Sequence, residues 1–298
     1  YVNKDCKGTS ELVEKILKKD GTKNYLRRLQ AYCDYENGDF QRGLEILNDY
    51  FKVVTPDKIL PSDYLYLGRL GLKTKGDTMM AITNLQKSIQ LDTNGASWSL
   101  YKEIGTIQYD RKDYCGALQS YTLYLDSLPK TDKYYVSDTY RKGLSQFYCK
   151  DPDTLRYVKA EAIFKVVAEM APKSGLGWFW AGKSAARQDP DVEAHPEQIV
   201  DFGKAKSYFE TYVGIGSADK VKNKTDLITA LEYLTYFYYN KGDAANVKLY
   251  GAQLLELDAA NQTGLELMKA AESGTLVPAV PPTTPATPAN GTGGKGKK

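Results

Sequence analysis

The sequence predicts an all-α solenoid, built from a series of antiparallel helix pairs and followed by a disordered C-terminal tail. Three observations predict it. Apolar residues recur at three- and four-residue spacing, Gly-Asp or Asn-Gly pairs interrupt these stretches, and one pattern of small and aromatic residues recurs along the chain. Because a single helix pair cannot bury its apolar face alone, successive copies must stack on one another.

The clearest copy of the pattern lies between residues 104 and 129. Gly105 and Ala117 occupy the small positions where two helices cross, and Tyr114 and Tyr121 occupy the aromatic positions where they pack. Five further copies of lower fidelity are marked by residues 38–43, 67–85, 157–167, 178–212 and 238–257. Six copies in series are specific evidence for a repeat architecture.

This pattern resembles the tetratricopeptide repeat, which is about 34 residues long. The resemblance implies a right-handed superhelical solenoid whose first helices line a concave groove that binds a protein or peptide. We expect six repeats over residues 25–260, a truncated repeat or cap over residues 1–24, and a capping helix over residues 261–275. The truncated repeat, with its helix at residues 10–19, indicates that more repeats lie upstream.

The tail over residues 276–298 has a different composition from the repeats. From residue 277 onward it holds five prolines, four glycines and small polar residues without apolar periodicity. Such a segment cannot bury enough apolar surface to offset the entropy of its chain, so we expect it to be disordered.

The charge balance argues against a nucleic-acid-binding protein. Forty basic and 37 acidic residues leave a net charge of +3, and Lys295, Lys297 and Lys298 lie at the very end. The remaining chain is neutral, whereas nucleic-acid binding needs a concentrated basic face. No run of apolar residues is long enough for a transmembrane helix.

The sequence predicts neither an enzyme nor a cofactor or metal site. Residues 177–184 match the phosphate-loop expression GxxxxGK[ST], but three bulky aromatic residues fill it and no β-strand precedes it, so we interpret it as a helix. The single histidine, His195, precedes Pro196 and is expected in a solvated loop. Paired aspartates at residues 151–153 and 189–191 lack the ligand ladder of an EF-hand.

The four cysteines form two pairs on the repeat register. Cys115 begins the second helix of repeat three and Cys149 ends the first helix of repeat four, so antiparallel neighbours bring them together. Cys6 and Cys33 have the same arrangement earlier in the chain. We expect two disulfides and therefore an oxidising compartment. The alternative is four buried thiols that act as small core residues.

The family resemblance also implies which first-helix positions line the groove. On this register the partner-binding residues are Arg28, Tyr32, Tyr35, Lys102, Tyr109, Phe147, Lys183, Arg187, Tyr236 and Tyr239. Such a face is aromatic with basic spots and suits an extended peptide or a helix. The alternative is that half of these tyrosines pack between neighbouring repeats. The carboxylate clamp of some family members is not supported, because Thr106 replaces the expected asparagine.

The leading functional hypothesis is a non-enzymatic scaffold that binds a protein or peptide partner through the groove. A looser resemblance over residues 10–272, to envelope-associated tetratricopeptide proteins of Bacteroides-type bacteria, implies an exported assembly factor that is periplasmic or associated with the outer membrane. One alternative is a carbohydrate-binding lipoprotein of the starch-uptake type, although only Trp98, Trp178 and Trp180 are present. The other alternative is the interaction module of a larger protein whose catalytic part lies upstream.

Overall fold

The computed structural model describes residues 5–74, 76–150 and 155–276. These residues form fourteen α-helices and short 3₁₀ turns, with no β-strand among them, and the predicted all-α solenoid is confirmed. The described chain forms two compact units, one ending at Asp132 and the other beginning at Lys133. The predicted disorder of residues 277–298, and the acidic loop at residues 151–153, lie outside the described residues.

The first unit consists of a leading helix and three helix hairpins. The helices are α1 (Cys6–Lys19), α2 (Arg27–Asn37), α3 (Phe40–Val53), α4 (Pro61–Lys73), α5 (Thr78–Leu91), α6 (Leu100–Asp110) and α7 (Tyr114–Ser127). Helices α2 and α3, α4 and α5, and α6 and α7 form the hairpins, and α1 packs on α2. Because short turns join the two helices of each hairpin, the helices run antiparallel.

The second unit repeats this design with longer connections. Its helices are α8 (Tyr135–Tyr148), α9 (Arg156–Met170), α10 (Leu176–Ala186), α11 (Lys206–Gly216), α12 (Lys224–Asn240), α13 (Ala244–Leu257) and α14 (Gln262–Ser273). Helix α14 packs against both α12 and α13, so it covers the end of the last hairpin. Its side-chain cap is Asn261, whose Oδ1 accepts a hydrogen bond from the backbone N–H of Gly264 at 3.0 Å.

The two helices of a hairpin cross where a glycine meets a large side chain. A Cβ atom on Gly143 would lie 2.6 Å from Cε1 of Phe164, and one on Gly182 would lie 2.7 Å from Cε1 of Phe209. Both phenylalanines are completely buried. The crossing therefore needs a residue without a side chain on the first helix, because close packing leaves no room for a methyl group.

The turns between helices combine a left-handed residue with a capping aspartate. Gly242 has a φ of +70°, and Lys112 adopts the same region with a φ of +64° in the turn between α6 and α7. The next residue, Asp113, accepts a hydrogen bond from the backbone N–H of Gly116 at 3.0 Å. This cap satisfies a backbone donor that the first turn of a helix otherwise leaves without a partner.

The cysteines differ from the expectation of two disulfides. Cys115 and Cys149 are disulfide-bonded, but Cys6 and Cys33 are buried free thiols, which corrects the sequence prediction for that pair. Burial and a hydrogen bond with the Cys6 thiol raise the pKa of Cys33 to about 12. Disulfide exchange needs a thiolate as the attacking group, so the raised pKa of Cys33 makes its thiol a poor nucleophile.

We predict that Gly177→Ala destabilises the second unit. A Cβ atom on Gly177 would lie 2.3 Å from the backbone nitrogen of Ala168 and 2.6 Å from its Cα, and backbone atoms cannot move aside cheaply. Overpacking of this kind costs about 1–3 kcal/mol in the free energy of unfolding, which urea unfolding followed by circular dichroism measures.

The matched control is Gly214→Ala in α11. Gly214 is exposed, and a Cβ atom there meets nothing within 4 Å. Because alanine favours a helix over glycine, this substitution should raise the free energy of unfolding by about 0.5–1 kcal/mol. If both substitutions have the same effect, the crossing of α9 and α10 tolerates a methyl group and the packing argument is wrong.

We predict that the denatured, unreduced protein exposes two alkylatable thiols. Mass spectrometry after alkylation should find Cys6 and Cys33 labelled, and Cys115 and Cys149 labelled only after reduction, because a disulfide sulfur does not react with an alkylating agent. Labelling of all four cysteines before reduction would contradict the disulfide. Labelling of none would contradict the free thiols at Cys6 and Cys33.

Candidate functional site

Arg28 and Tyr32, two predicted groove residues of the first unit, hold helices together. The Arg28 guanidinium donates a hydrogen bond to the backbone oxygen of Lys58 at 2.7 Å and pairs with Asp63 at 3.3 Å. Its side chain is 13% exposed and that of Asp63 is fully buried. Tyr32 donates its hydroxyl proton to the same carboxylate. This network joins α2 to the start of α4, so both side chains are used in packing.

The rings of Tyr32 and Phe147 are also used in packing. Tyr32 stacks on Tyr66 with 4.2 Å between ring centroids, and burial raises the pKa of Tyr32 far above its ordinary value. Phe147 belongs to the core of the second unit, where its ring centroid lies 5.3 Å from that of Trp180. For Tyr32 the alternative interpretation, packing between neighbouring repeats, therefore describes the structure, and Arg28 and Phe147 are likewise used in packing.

Other predicted groove residues line a cleft in the first unit, here called the first cleft. It has a volume of about 550 Å³ and is lined by Tyr35, Leu72, Lys73, Ser99, Lys102, Glu103, Thr106 and Ile107. These residues come from α2, α4 and α6 and from the turn before α6, that is, from the first helix of each hairpin. Glu103 pairs with Arg69 at 2.9 Å, whereas two lysines also line the cleft. Tyr109 is half-buried and its ring packs edge-on against Tyr114.

In the second unit, Lys183 lies in the last turn of α10, and Arg187 is the C-cap residue that follows this helix. The Lys183 ammonium lies 4.3 Å from the centroid of the Trp180 ring, which is a cation–π distance. Its half-buried position lowers the pKa of Lys183, because burial disfavours the charged form, while Asp226 opposes this effect. Arg187 is exposed. Residues 177–184 are helical here, so their backbone N–H groups cannot form the anion-binding loop that the GxxxxGK[ST] expression requires.

The remaining predicted residues, Tyr236 and Tyr239, line a cleft between α12 and α14, here called the second cleft. Its volume is about 620 Å³, and its lining residues are Glu193, Glu232, Tyr233, Tyr236, Tyr239, Thr263, Glu266, Leu267 and Ala270. The Tyr236 hydroxyl donates a hydrogen bond to Oε1 of Glu193 at 3.0 Å. Burial, together with this hydrogen bond, raises the pKa of Tyr236 to about 12.

The acidic character of the second cleft was missed by the sequence prediction of an aromatic face with basic spots. Glu193 comes from the long connection between α10 and α11, which has no counterpart in the repeat pattern. Glu266 comes from α14, which follows the last full repeat. A signal was present in the sequence, because Thr263, Leu267 and Ala270 share a helical face with Glu266. This face lies outside the six repeats, so the repeat register does not predict it.

Three further features of the described residues bear on catalysis, metal binding and membrane insertion. The His195 side chain is 59% exposed, and its Nδ1 lies 3.4 Å from Oε1 of Glu197. In the part of the chain that the structure describes, no three histidine, cysteine or acidic side chains are grouped as metal ligands. Within the same residues, no helix combines the length and the apolar character that crossing a bilayer requires.

Two solved structures are similar to this chain. The C-terminal part of a TPR repeat-containing protein from Cytophaga hutchinsonii is 26% identical, with a TM-score of 0.59, over 89% of this chain and 95% of that chain. The structure of Naa15/Naa10 bound to HypK-THB has the same TM-score and 14% identity, over 92% of this chain and 37% of that chain. No protein-family model and no curated protein matches the sequence.

The comparison agrees with the repeat pattern and with the packing. Hairpins place a glycine of one helix against a large buried side chain of the next, in agreement with the small and aromatic positions of the repeat pattern. Stacks of this kind present extended surfaces that serve protein interaction. The repeated sequence pattern, the all-α hairpins and the similarity to the Cytophaga protein together support the resemblance of this chain to tetratricopeptide-repeat proteins.

Proposed function

We propose that this protein is a non-enzymatic scaffold that binds an extended peptide segment of a protein partner along the first helices of its hairpins. The observation that carries the proposal is the pair of clefts, because first helices supply all the lining helical residues of the first cleft and α12 and α14 supply those of the second. Tyr35, Tyr236 and Tyr239 stay half-exposed there. Tyrosine offers a large contact area at a low cost in conformational entropy.

A role without catalysis is supported by the surroundings of the single histidine. His195 lies in an exposed loop, and its side-chain partner among the described residues is Glu197 rather than a serine or cysteine. General-base catalysis needs such a group within hydrogen-bond reach. The same reasoning favours a binding function for the clefts, whose polar groups are tyrosines, lysines and glutamates in contact with solvent.

An exported, envelope-associated location is the second part of the proposal. It is supported by the disulfide bonding of Cys115 and Cys149, since disulfides persist in oxidising compartments, and by the similarity to the Cytophaga protein. The starch-uptake alternative has no comparable support. Trp98 stacks on Tyr124 and Trp180 stacks on Phe164, so their rings are used in packing rather than presented as sugar-binding platforms.

We predict that the double variant Lys73→Ala, Tyr239→Ala loses peptide binding. Peptides selected from a random phage-displayed library on the wild-type protein should bind this variant at least about tenfold more weakly, because removing an aromatic anchor commonly costs about 2 kcal/mol of binding free energy. Lys73 is exposed and Tyr239 half-buried, so the fold should tolerate both changes. Fluorescence anisotropy with the labelled peptides measures the affinity.

The matched control is the double variant Lys248→Ala, Tyr25→Ala. Both residues are exposed, neither lines a cleft, and the same two side-chain types are removed. This variant should bind the selected peptides like the wild type. If the two double variants bind the peptides equally well, the clefts are not the binding surface and the proposed function is wrong.

A further inference from the structure

Three glutamates line the second cleft, and no cationic side chain is among its lining residues. Glu193, Glu232 and Glu266 come from a loop, from α12 and from α14, respectively. Within the described residues, none of the three forms an ion pair with a lysine or arginine. A cationic ligand group that enters the cleft therefore meets carboxylates that no lysine or arginine already neutralises.

The position of one carboxylate is fixed before any ligand binds. Asn261 donates a hydrogen bond from Nδ2 to Oε1 of Glu232 at 2.7 Å. The Asn261 side chain is itself held, because its Oδ1 caps the start of α14 through the N–H of Gly264. Oε2 of Glu232 has no hydrogen-bond partner among the described residues, so it is available as an acceptor. A preorganised acceptor loses little entropy when a donor binds to it.

Tyrosine rings lie beside these carboxylates. Tyr233, Tyr236 and Tyr239 all line the cleft from α12. The hydroxyl groups of two of them point their protons at acidic groups, since Tyr236 donates to Glu193 and Tyr233 donates to Asp189. Donation of this kind leaves more negative charge on the ring system. Aromatic faces attract cations, and most strongly where solvent is partly excluded.

We propose that the second cleft binds the guanidinium group of an arginine side chain in the partner peptide. This inference rests on the proposed function, because it specifies the chemistry of one residue in the bound segment. A guanidinium is planar, presents five N–H donors to carboxylates and stacks on aromatic rings. Lysine has a compact, strongly hydrated charge, so it can pair with the carboxylates but does not stack on the tyrosine rings as a planar group does.

The first cleft has the opposite balance of charge and does not compete for the guanidinium group. Lys73 and Lys102 line it, and its glutamate, Glu103, pairs with Arg69. An arginine of the partner is therefore attracted by the second cleft and not by the first. Exposed carboxylates are screened by salt, so a single arginine contributes specificity and a moderate part of the affinity.

The experiment uses two small probes, N-acetyl-L-arginine amide and its neutral isostere N-acetyl-L-citrulline amide. Each is titrated into the full chain, and binding is followed by saturation-transfer difference NMR. The arginine probe should bind saturably, and the citrulline probe at least about tenfold more weakly, because it lacks the charge that the carboxylates and rings attract. Equal binding of the two probes overturns the proposal.

The variant that tests the site is Glu232→Gln, Glu266→Gln. Glutamine keeps an amide oxygen for the hydrogen bond from Asn261, so the fold is retained, and affinity for the arginine probe should fall about tenfold. The control is Glu256→Gln, Glu272→Gln, which changes the net charge equally at exposed positions outside the cleft. If both variants lose affinity for the arginine probe to a similar extent, the affinity depends on the net charge of the protein rather than on the cleft, and the proposal is overturned.

The library selection separates this proposal from the proposed function. If peptides depend on Lys73 and Tyr239 but show no enrichment of arginine, the scaffold function stands and the arginine site is wrong. If the arginine probe fails to bind and the peptides are also insensitive to the cleft substitutions, both proposals are wrong. Enrichment of arginine, lost on selection against the Glu232→Gln, Glu266→Gln variant, supports the arginine site.

Discussion

The structure depends on one packing contact, the close crossing of the two helices within a hairpin. At two of these crossings a glycine of the first helix lies under a fully buried phenylalanine of the second, Gly143 under Phe164 and Gly182 under Phe209. The contact fixes the rotation of each first helix, because only one face carries the residue that permits the approach. The opposite face is then directed away from its hairpin partner, and its side chains become available to line clefts.

The clefts follow from this rotation, but their chemistry does not. The first cleft is lined by lysines and a paired glutamate, and the second by three glutamates and three tyrosines. The repeat sets where these side chains project, while the residues themselves are not constrained by packing. Loops and the final helix add further groups, as Glu193 shows. A common scaffold can thus carry surfaces with different balances of charge.

The groove residues show how far repeat register alone can predict a site. The register placed Tyr35, Lys102, Tyr236 and Tyr239 on first helices, and they line the clefts. It also placed Arg28 there, yet that side chain is tied to Asp63 and covers the ring of Tyr50. Register defines the direction of a Cβ atom, but a long side chain can turn from that direction towards a buried carboxylate. Whether it does so depends on a residue in the next repeat.

By itself the sequence determined the all-α repeat architecture, the helix crossings and the absence of a phosphate loop, because these depend on spacing and on residue size within one hairpin. Only the tertiary structure decided which groove residues are exposed, that the second cleft is acidic, and that Cys6 and Cys33 are free thiols. These features depend on contacts between segments that are distant in sequence. Glu193, for example, accepts a hydrogen bond from Tyr236, which lies 43 residues away in the sequence, and no local sequence pattern predicts that contact.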